Sequence, residues 1–537
     1  MAGGKAFNRR KPVRGANTSP EVSRPAASPY ILSARADGLF IVGAALLCPA
    51  LILPISGLTS PFAVWSVVMT FGAVGHHLPS FLRTYGDREI FRRYRARLLL
   101  APPLFFAATL WFTMKGLHGM LLISMCWSIW HGMMQHFGFM RIYDHKVGAA
   151  DAKTARLDWW ISACWFGLIL VLSPNQGGSL LDLLYDGGIP LVPLSLIKGL
   201  RVVLIAVTAV VTLLYLEHAV RGDQKRSRLK LMLLVGTFVY IWLVRVVLHD
   251  PYLSVALFEV LHDVQYLAIV WAFNRRLADK GSGGRVTRWL YRPGAIPVGG
   301  YVLTCLAYGG IGLAVSTQLG AGPFKQVMEA FLITSGLLHF YYDGFIWKLA
   351  QPKTKRGLGI DTVTPVRPGS NGLAHAGIVG GLIVLLGTLE LNRSPDELAK
   401  AQSIAAAVPD NPTSRNNLGW QLLEHGRFDE AVPELRAALA LQPDLEPARD
   451  SLSAALMELS QENARAGRMD TAIERAREAV ETAPDSADAH NNLGVQLGGV
   501  GRLEEAEREW RRVLELNPNH DLARSNLDVL SRMGDGD

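Results

Sequence analysis

Between residues 39 and 391 the apolar residues gather into runs of about 18–25 residues, separated by shorter polar stretches. A helix of that length crosses a hydrocarbon layer of roughly 30 Å. Spans are expected at 39–57, 61–79, 98–115, 117–140, 157–173, 194–216, 230–249, 251–273, 296–318, 324–348 and 372–391. From residue 392 onward no such run occurs, and the pattern changes to charged helices with one apolar face. The expected class is all-α: a polytopic transmembrane helical bundle of about 11 spans, followed by a soluble helical region.

Charge sharpens this division. The net charge is +8 over 537 residues, but the part from Glu390 onward holds 28 acidic and 16 basic residues, a balance of −12. The remainder carries +20, concentrated in alternate loops: Arg83 to Arg97, Arg141 to Arg156, Arg221 to Arg228, Arg275 to Arg292 and Lys353 to Arg356. Every basic loop then falls on the side of the basic N-terminus, which is cytoplasmic by the positive-inside rule. A basic balance explained by short loops gives no reason to expect nucleic acid as a partner. An odd number of spans puts the C-terminal region on the far side, the periplasm if the membrane is a bacterial inner membrane.

Residues 1–38 are expected to be a basic, disordered cytoplasmic tail, since Lys5, Arg9, Arg10, Lys11, Arg14, Arg24 and Arg35 stand among Gly, Pro and Ser. No cleavage signature follows the first apolar run, so a retained anchor is expected and not a removed signal. Cys48, Cys126, Cys164 and Cys305 lie in separate spans and form no CxxC pair. The expected domains are the tail, a membrane domain at 39–391, a linker at 392–411, a repeat domain at 412–530 and a short disordered tail at 531–537.

The C-terminal region repeats itself. Asn416-Asn417-Leu418-Gly419 recurs as Asn491-Asn492-Leu493-Gly494, and Gly426-Arg427 recurs as Gly467-Arg468 and Gly501-Arg502. Pro443, Pro484 and Pro518 close the units, spaced 41 and 34 apart, so the middle unit holds about seven extra residues. Gly419, Ala431, Ala438 and Pro443, and then Gly494, Ala506 and Pro518, stand where small residues and proline are needed for close helix pairs. In these features the region resembles the tetratricopeptide repeat family. The resemblance implies an α-solenoid and a protein partner bound through it.

Candidate chemistry lies in the spans. The second, fourth, eighth and tenth carry His76 and His77, His131 and His136, His262, and His339, all toward the end followed by a basic loop. Ionisable residues inside a membrane are costly and mark functional sites. Glu259 and His262 are three apart, with Tyr266 four further on; His339 and Asp343 are four apart on one face. The expected metal ligands are His76, His77, His131, His136, Glu259, His262, His339 and Asp343, with Tyr266 and Tyr342 as catalytic candidates. His131 and His136 diverge by about 140° and His76 and His77 by about 100° on an ideal helix, so not all can face one point without a break.

Glu259-x-x-His262 has the spacing by which soluble di-iron bundles supply ligands. The placement of the histidines, with His131 to His136 as a first box, partly resembles the histidine-box non-haem iron membrane desaturases and hydroxylases. That resemblance implies iron, as a di-iron centre, and an oxidoreductase acting on a lipid or isoprenoid-like substrate. Arg83 and Arg141 are candidates to hold a lipid phosphate. The alternatives are a haem-binding redox protein, a transporter, a non-catalytic scaffold, or a lipid-linked glycosyltransferase with Asp182 and Asp186 as its acidic pair.

Overall fold

The structure is a computed structural model that describes residues 28–221, 227–248, 250–279, 285–318, 320–347, 354, 357, 358, 360, 372–393 and 396–534. Among the described residues all regular structure is helical. The first region comprises α1 (Ala44–Leu58), α2 (Pro61–Val67), α3 (His77–Gly86), α4 (Arg88–Met114), α5 (Gly119–Val147), α6 (Ala152–Leu172) and α7 (Pro174–Asp186). It continues through α8 (Leu194–Arg221), α9 (Arg228–Trp242), α10 (Pro251–Asp279), α11 (Ala295–Gln318), α12 (Pro323–Ile346) and α13 (Gly372–Leu391).

Six of the described helices are long and apolar enough to cross a membrane, and a seventh span arises if Ala34–Ile41 and Ala44–Leu58, bent by 52°, count as one. These six lie in α4, α6, α8, α9 with its continuation to Val247, α10 and α11. Of the other four expected spans, 372–391 contains a shorter apolar helix, Val379–Leu391, and three depart for visible reasons. Helices α5 and α12 are 29 and 24 residues long, but they carry the histidines, Gln135 and Asp343. The second span is broken: α2 runs into a π-helical stretch, Val68–Val74, before a new helix starts at His77.

The N-terminal tail gives way to structure earlier than expected. Residues 1–27 lie outside the described residues, but Ile31 and Asp37 are fully buried. Asp37 accepts hydrogen bonds from the backbone N–H groups of Ile31 and Leu32, both at 2.7 Å, and from Tyr143 at 2.9 Å. One carboxylate thus ties the segment to α5.

The linker expected at 392–411 contains a further helix, α14 (Glu397–Ala407), with Ala401, Ile404 and Ala405 buried. Alanine-rich faces pack as well as larger ones when the neighbouring helix comes close. Then follow α15 (Pro412–Glu424), α16 (Phe428–Leu441), α17 (Glu446–Arg465), α18 (Met469–Thr482), α19 (Ala487–Gly499), α20 (Leu503–Leu516) and α21 (Asp521–Gly534). The last helix runs past the expected boundary at 531, and residues 535–537 lie outside the described ones.

Helix pairing in this region follows the small residues. A Cβ on Gly419 would stand 2.4 Å from Leu435 Cγ, and one on Gly494 would stand 2.6 Å from Trp510 Nε1. In the middle unit Ser460 occupies the equivalent position; it is fully buried and its hydroxyl donates to the Ala472 carbonyl at 2.8 Å. A small side chain with its own acceptor replaces the glycine. The seven extra residues lengthen α17 to 20 residues, against 13 in α15 and α19.

Ionic contacts join the two regions. Lys400 Nζ lies 2.8 Å from Asp182 Oδ1 and 2.7 Å from Asp186 Oδ1, and Arg393 reaches Asp186 at 2.7 Å. Burial alone would raise the Asp186 carboxyl, but the hydrogen bonds from Lys400 and Arg393 outweigh it and hold its pKa below the ordinary range. The acidic pair considered for glycosyl transfer is therefore engaged in holding α14 to α7.

Candidate metal centre

The break after α2 decides how the first two histidines are presented. The π-helical stretch Val68–Val74 passes through a turn at Gly75-His76 into α3. Such wide turns recur at functional sites because they re-aim side chains. Here both rings reach the same place, against the expectation of a 100° divergence along one helix: His76 and His77 lie 4.7 Å apart by centroid, and each approaches His339, at 4.7 and 5.0 Å. Close packing holds the stretch, since a Cβ on Gly309 of α11 would stand 2.3 Å from the Thr70 carbonyl.

Three more helices complete the cluster. His131 of α5 and His262 of α10 are 5.1 Å apart, His131 is 4.8 Å from His339 of α12, and His262 is 5.1 Å from His76. Gln135, one turn beyond His131, donates to the His262 carbonyl at 3.1 Å and fixes α5 against α10. Five of the six expected histidines therefore converge.

Carboxylates flank them on two sides. Asp343 Oδ1 accepts from Ser80 at 2.9 Å and Tyr266 at 3.1 Å, which leaves Oδ2 facing His131 Nε2 and His339 Nε2, each at 3.9 Å. Opposite, Asp263 Oδ1 stands 2.8 Å from His76 Nδ1, a nitrogen that also lies 3.1 Å from the Gly72 carbonyl. His77 Nδ1 is 3.0 Å from Ser335 Oγ. Bonds of this kind at one ring nitrogen fix the tautomer and direct the other at a ligand.

What remains unmade is informative. His76 Nε2, His131 Nε2 and both nitrogens of His339 are buried without a hydrogen-bond partner. Buried polar atoms without partners are rare and costly. Ligand atoms of His76, His262 and His339 lie within 4.8 Å of one another, as do those of His131, His339 and Asp343. Imidazole with carboxylate, free of thiolate, suits iron, zinc or copper.

Two expected residues are elsewhere, and a third stands outside the ligand groups. His136 lies 5.3 Å from Phe238 and 6.1 Å from Phe166 by centroid, on another side of α5, as its divergence from His131 dictates. Glu259 belongs to neither ligand group. It sits one turn before His262, and the carboxylate beside His76 is that of Asp263. Tyr342 has its hydroxyl 2.7 Å from that of Tyr85 and packs on Phe81, outside the cluster. Tyr266 does belong to it, with its ring 5.0 Å from His339.

The two arginines considered for lipid phosphate both turn inward. Arg83 donates to the Ile346 carbonyl at 2.8 Å, and its guanidinium lies 3.9 Å from the Phe273 centroid and 3.7 Å from that of Trp347. Arg141 lies with Lys230 between Asp144 and Asp158, at 2.6–3.0 Å, in a buried network of balanced charge. Ser335, Ser80 and Asp263 were missed as site residues. Ser335 precedes His339 by four, and Ser80 follows His76 by four, so helical spacing from the histidines was the available signal.

Comparison with known proteins bears on the second region. Tetratricopeptide repeat models match residues 390–446 and 487–520. No curated protein matches the chain. Similar solved structures include the MamA protein, 18% identical with a TM-score of 0.21, spanning 25% of this chain and 70% of that one. MamA 41-end from Desulfovibrio magneticus RS-1 is 17% identical with a TM-score of 0.19, spanning 30% and 92%. YrrB, titled a TPR protein with an unusual peptide-binding site, is 16% identical with a TM-score of 0.20, spanning 44% and 92%. Likenesses at these scores carry no argument about function. The C-terminal region is built of tetratricopeptide repeats, and repeats of this kind imply a protein partner.

Proposed function

We propose that this chain is an integral membrane oxidoreductase whose helical bundle holds a histidine-rich metal centre, with iron as the metal and a lipid or isoprenoid-like molecule as the substrate. The observation that carries the reading is the convergence of five imidazoles and Asp343 from α3, its preceding turn, α5, α10 and α12, with unpartnered nitrogens facing inward. A transition-metal ion would supply one-electron chemistry there. The chain's own residues hold the imidazoles in place, exclude water, and keep a proton on the Tyr266 hydroxyl against Asp343. The donor set of imidazole and carboxylate is one that suits non-haem iron. Haem suits the cluster less well, because rings packed at 4.7–5.1 Å leave no gap for a macrocycle.

The topology we infer has eleven crossings in a bacterial inner membrane, with the N-terminus cytoplasmic and the repeats periplasmic. Its support is the alternation of basic and nearly charge-free loops. The repeats would bring a protein partner to the outer face, where a cleft of about 260 Å³ is lined by Asn175, Asp182, Lys400, Asn417 and a half-exposed Trp420. The seating of α14 on α7 also favours a second reading, a scaffold in which the bundle anchors the repeats.

Metal content and optical spectrum of detergent-purified protein, beside His262→Ala and His339→Ala, test the proposal. Iron in wild type that is lost from both variants, without a Soret band, is the expected result. A Soret band would move the reading to haem. Well-folded protein with no transition metal would end it and leave the scaffold.

A further inference from the structure

We propose that the cleft between the bundle and the first repeat binds a neutral sugar unit of a glycan, stacked on Trp420. The proposal does not depend on the metal centre. Both regions build the cleft: Asn175, Ser179 and Asp182 of α7 line one side, Lys400 of α14 another, and Asn417 and Trp420 of α15 a third. Its volume of about 260 Å³ lies just below the usual range for drug-sized ligands and suits a ring-sized one.

The walls are fixed to one another in the chain itself. Asn411 Nδ2 donates to the Pro174 carbonyl at 3.0 Å and to Asn175 Oδ1 at 3.2 Å. Gly178 lets α7 and α15 meet this closely, since a Cβ there would stand 3.2 Å from Asn411 Nδ2 and 3.3 Å from Ser414 Oγ. A site organised in this way has little left to order when a ligand enters.

The charged groups of the cleft already face partners within the chain. Lys400 lies between Asp182 and Asp186, with Glu397 at 3.5 Å, and Glu397 also meets Arg393 at 2.8 Å. A charged ligand therefore finds no unpaired counter-charge. What stays free is uncharged. Thr413, Asn417, Trp420 and Gln421 share one face of α15. Among the described residues, the side chains of Thr413, Asn417 and Gln421 have no hydrogen-bond partner. Hydroxyl and amide groups both donate and accept, so the matching ligand carries groups that do both, as sugar hydroxyls do.

Trp420 supplies the second requirement, an aromatic face. Its side chain is 45% exposed, and the repeat fold does not need an indole there. The last unit reads Asn491-Asn492-Leu493-Gly494-Val495-Gln496 where the first reads Asn416-Asn417-Leu418-Gly419-Trp420-Gln421, so a valine serves at the same position. A flat ring beside free amides offers its face to the C–H side of a pyranose while the amides take the hydroxyls. A peptide backbone would use the amides as well. A cleft of this volume takes a single ring more readily than the several residues through which an extended peptide gains its affinity.

An array of neutral oligosaccharides of glucose, galactose, mannose and N-acetylglucosamine, probed with labelled full chain in detergent, tests the proposal. Wild type is expected to bind at least one of these glycans, and calorimetry with that glycan then gives its affinity. Trp420→Ala is expected to weaken binding about tenfold, and Asn417→Ala about threefold. Trp420→Phe is expected to restore part of the loss, since a smaller ring still stacks. Both side chains are exposed, so the variants are expected to fold, which circular dichroism checks. No glycan bound by folded wild type would overturn the proposal, as would binding that Trp420→Ala leaves unchanged. A displayed peptide bound in place of any glycan, and lost in Trp420→Ala, would also overturn it and give the cleft to a protein segment.

Discussion

The bundle and the repeats are both stacks of helices, yet they place their ionisable groups in opposite ways. In the repeats, buried faces are largely alanine: Ala431, Ala438, Ala472, Ala479 and Ala506 are fully buried. Charges lie outside as local pairs, such as Arg427–Glu430, Arg502–Glu505 and Arg511–Glu507. In the bundle, by contrast, His76, His77, His262, His339, Asp263, Asp343, Arg83, Asp158 and Lys230 are all buried. Surface pairs contribute at most about 1 kcal/mol each, whereas buried ionisable groups cost several unless paired. The repeats put their charge where it is cheap and build a surface. The bundle buries charge where it is costly, and of its two clusters, the histidines with Asp263 and Asp343 and the network of Arg141, Lys230, Asp144 and Asp158, only the second is internally balanced.

The sharpest way to break this contrast is at the balanced place. Asp158→Ala leaves Arg141 and Lys230 with one carboxylate between them and is expected to destabilise the bundle by about 3–5 kcal/mol. Thermal unfolding of the detergent-solubilised protein checks this, and a loss under about 1 kcal/mol would mean the network is more hydrated than its burial implies. In the repeats, Gly494→Val drives a side chain into Trp510 and is expected to cost about 1–3 kcal/mol, read as faster hydrogen exchange in Ala487–Gly499 and Leu503–Leu516. Unchanged exchange there would show that the helix pair can separate at little cost.

At the junction, Lys400→Ala removes the contacts to Asp182 and Asp186 on partly exposed groups, an effect of about 1 kcal/mol. Hydrogen exchange should rise in Pro174–Asp186 and Glu397–Ala407 but not in the distal repeats. The smallest effect is on pH. The hydrogen bond between His490 Nδ1 and Glu509, at 2.6 Å, raises the imidazole above its ordinary pKa. Its contribution is therefore full below about pH 6.5 and is lost as pH rises through the raised folded value. Stability of the repeats should fall across that window by under about 1 kcal/mol, and His490→Gln should flatten the slope. An equal slope in both proteins would assign it to another group.

The same contrast explains what could be read from the chain. Repeats announce themselves because one unit constrains the next: Gly426, Gly467 and Gly501 all adopt positive φ at the end of a first helix, and the lengthened α17 follows from the proline spacing. That the histidines would meet was legible from their like positions in the apolar runs, and five of six converge. Directions were not. A uniform helix through 61–79 separates His76 from His77, and only the π-helical stretch, held by Gly309 against Thr70, brings them together. Tyr342 failed on direction, its hydroxyl meeting Tyr85 and its ring Phe81. The fate of Arg83 and Arg141 was equally hidden, since partners such as Ile346 and Asp158 are set by packing between distant segments.

The central claim is that the inward-facing imidazoles hold a metal. X-ray absorption at the iron edge of the purified full chain, grown with iron and washed free of loose metal, tests it most directly. The expected spectrum has a first shell of nitrogen and oxygen with the outer-shell scattering of several imidazoles, lost in His339→Ala. Folded protein with no absorption edge, or with a first shell lacking imidazole, would contradict it.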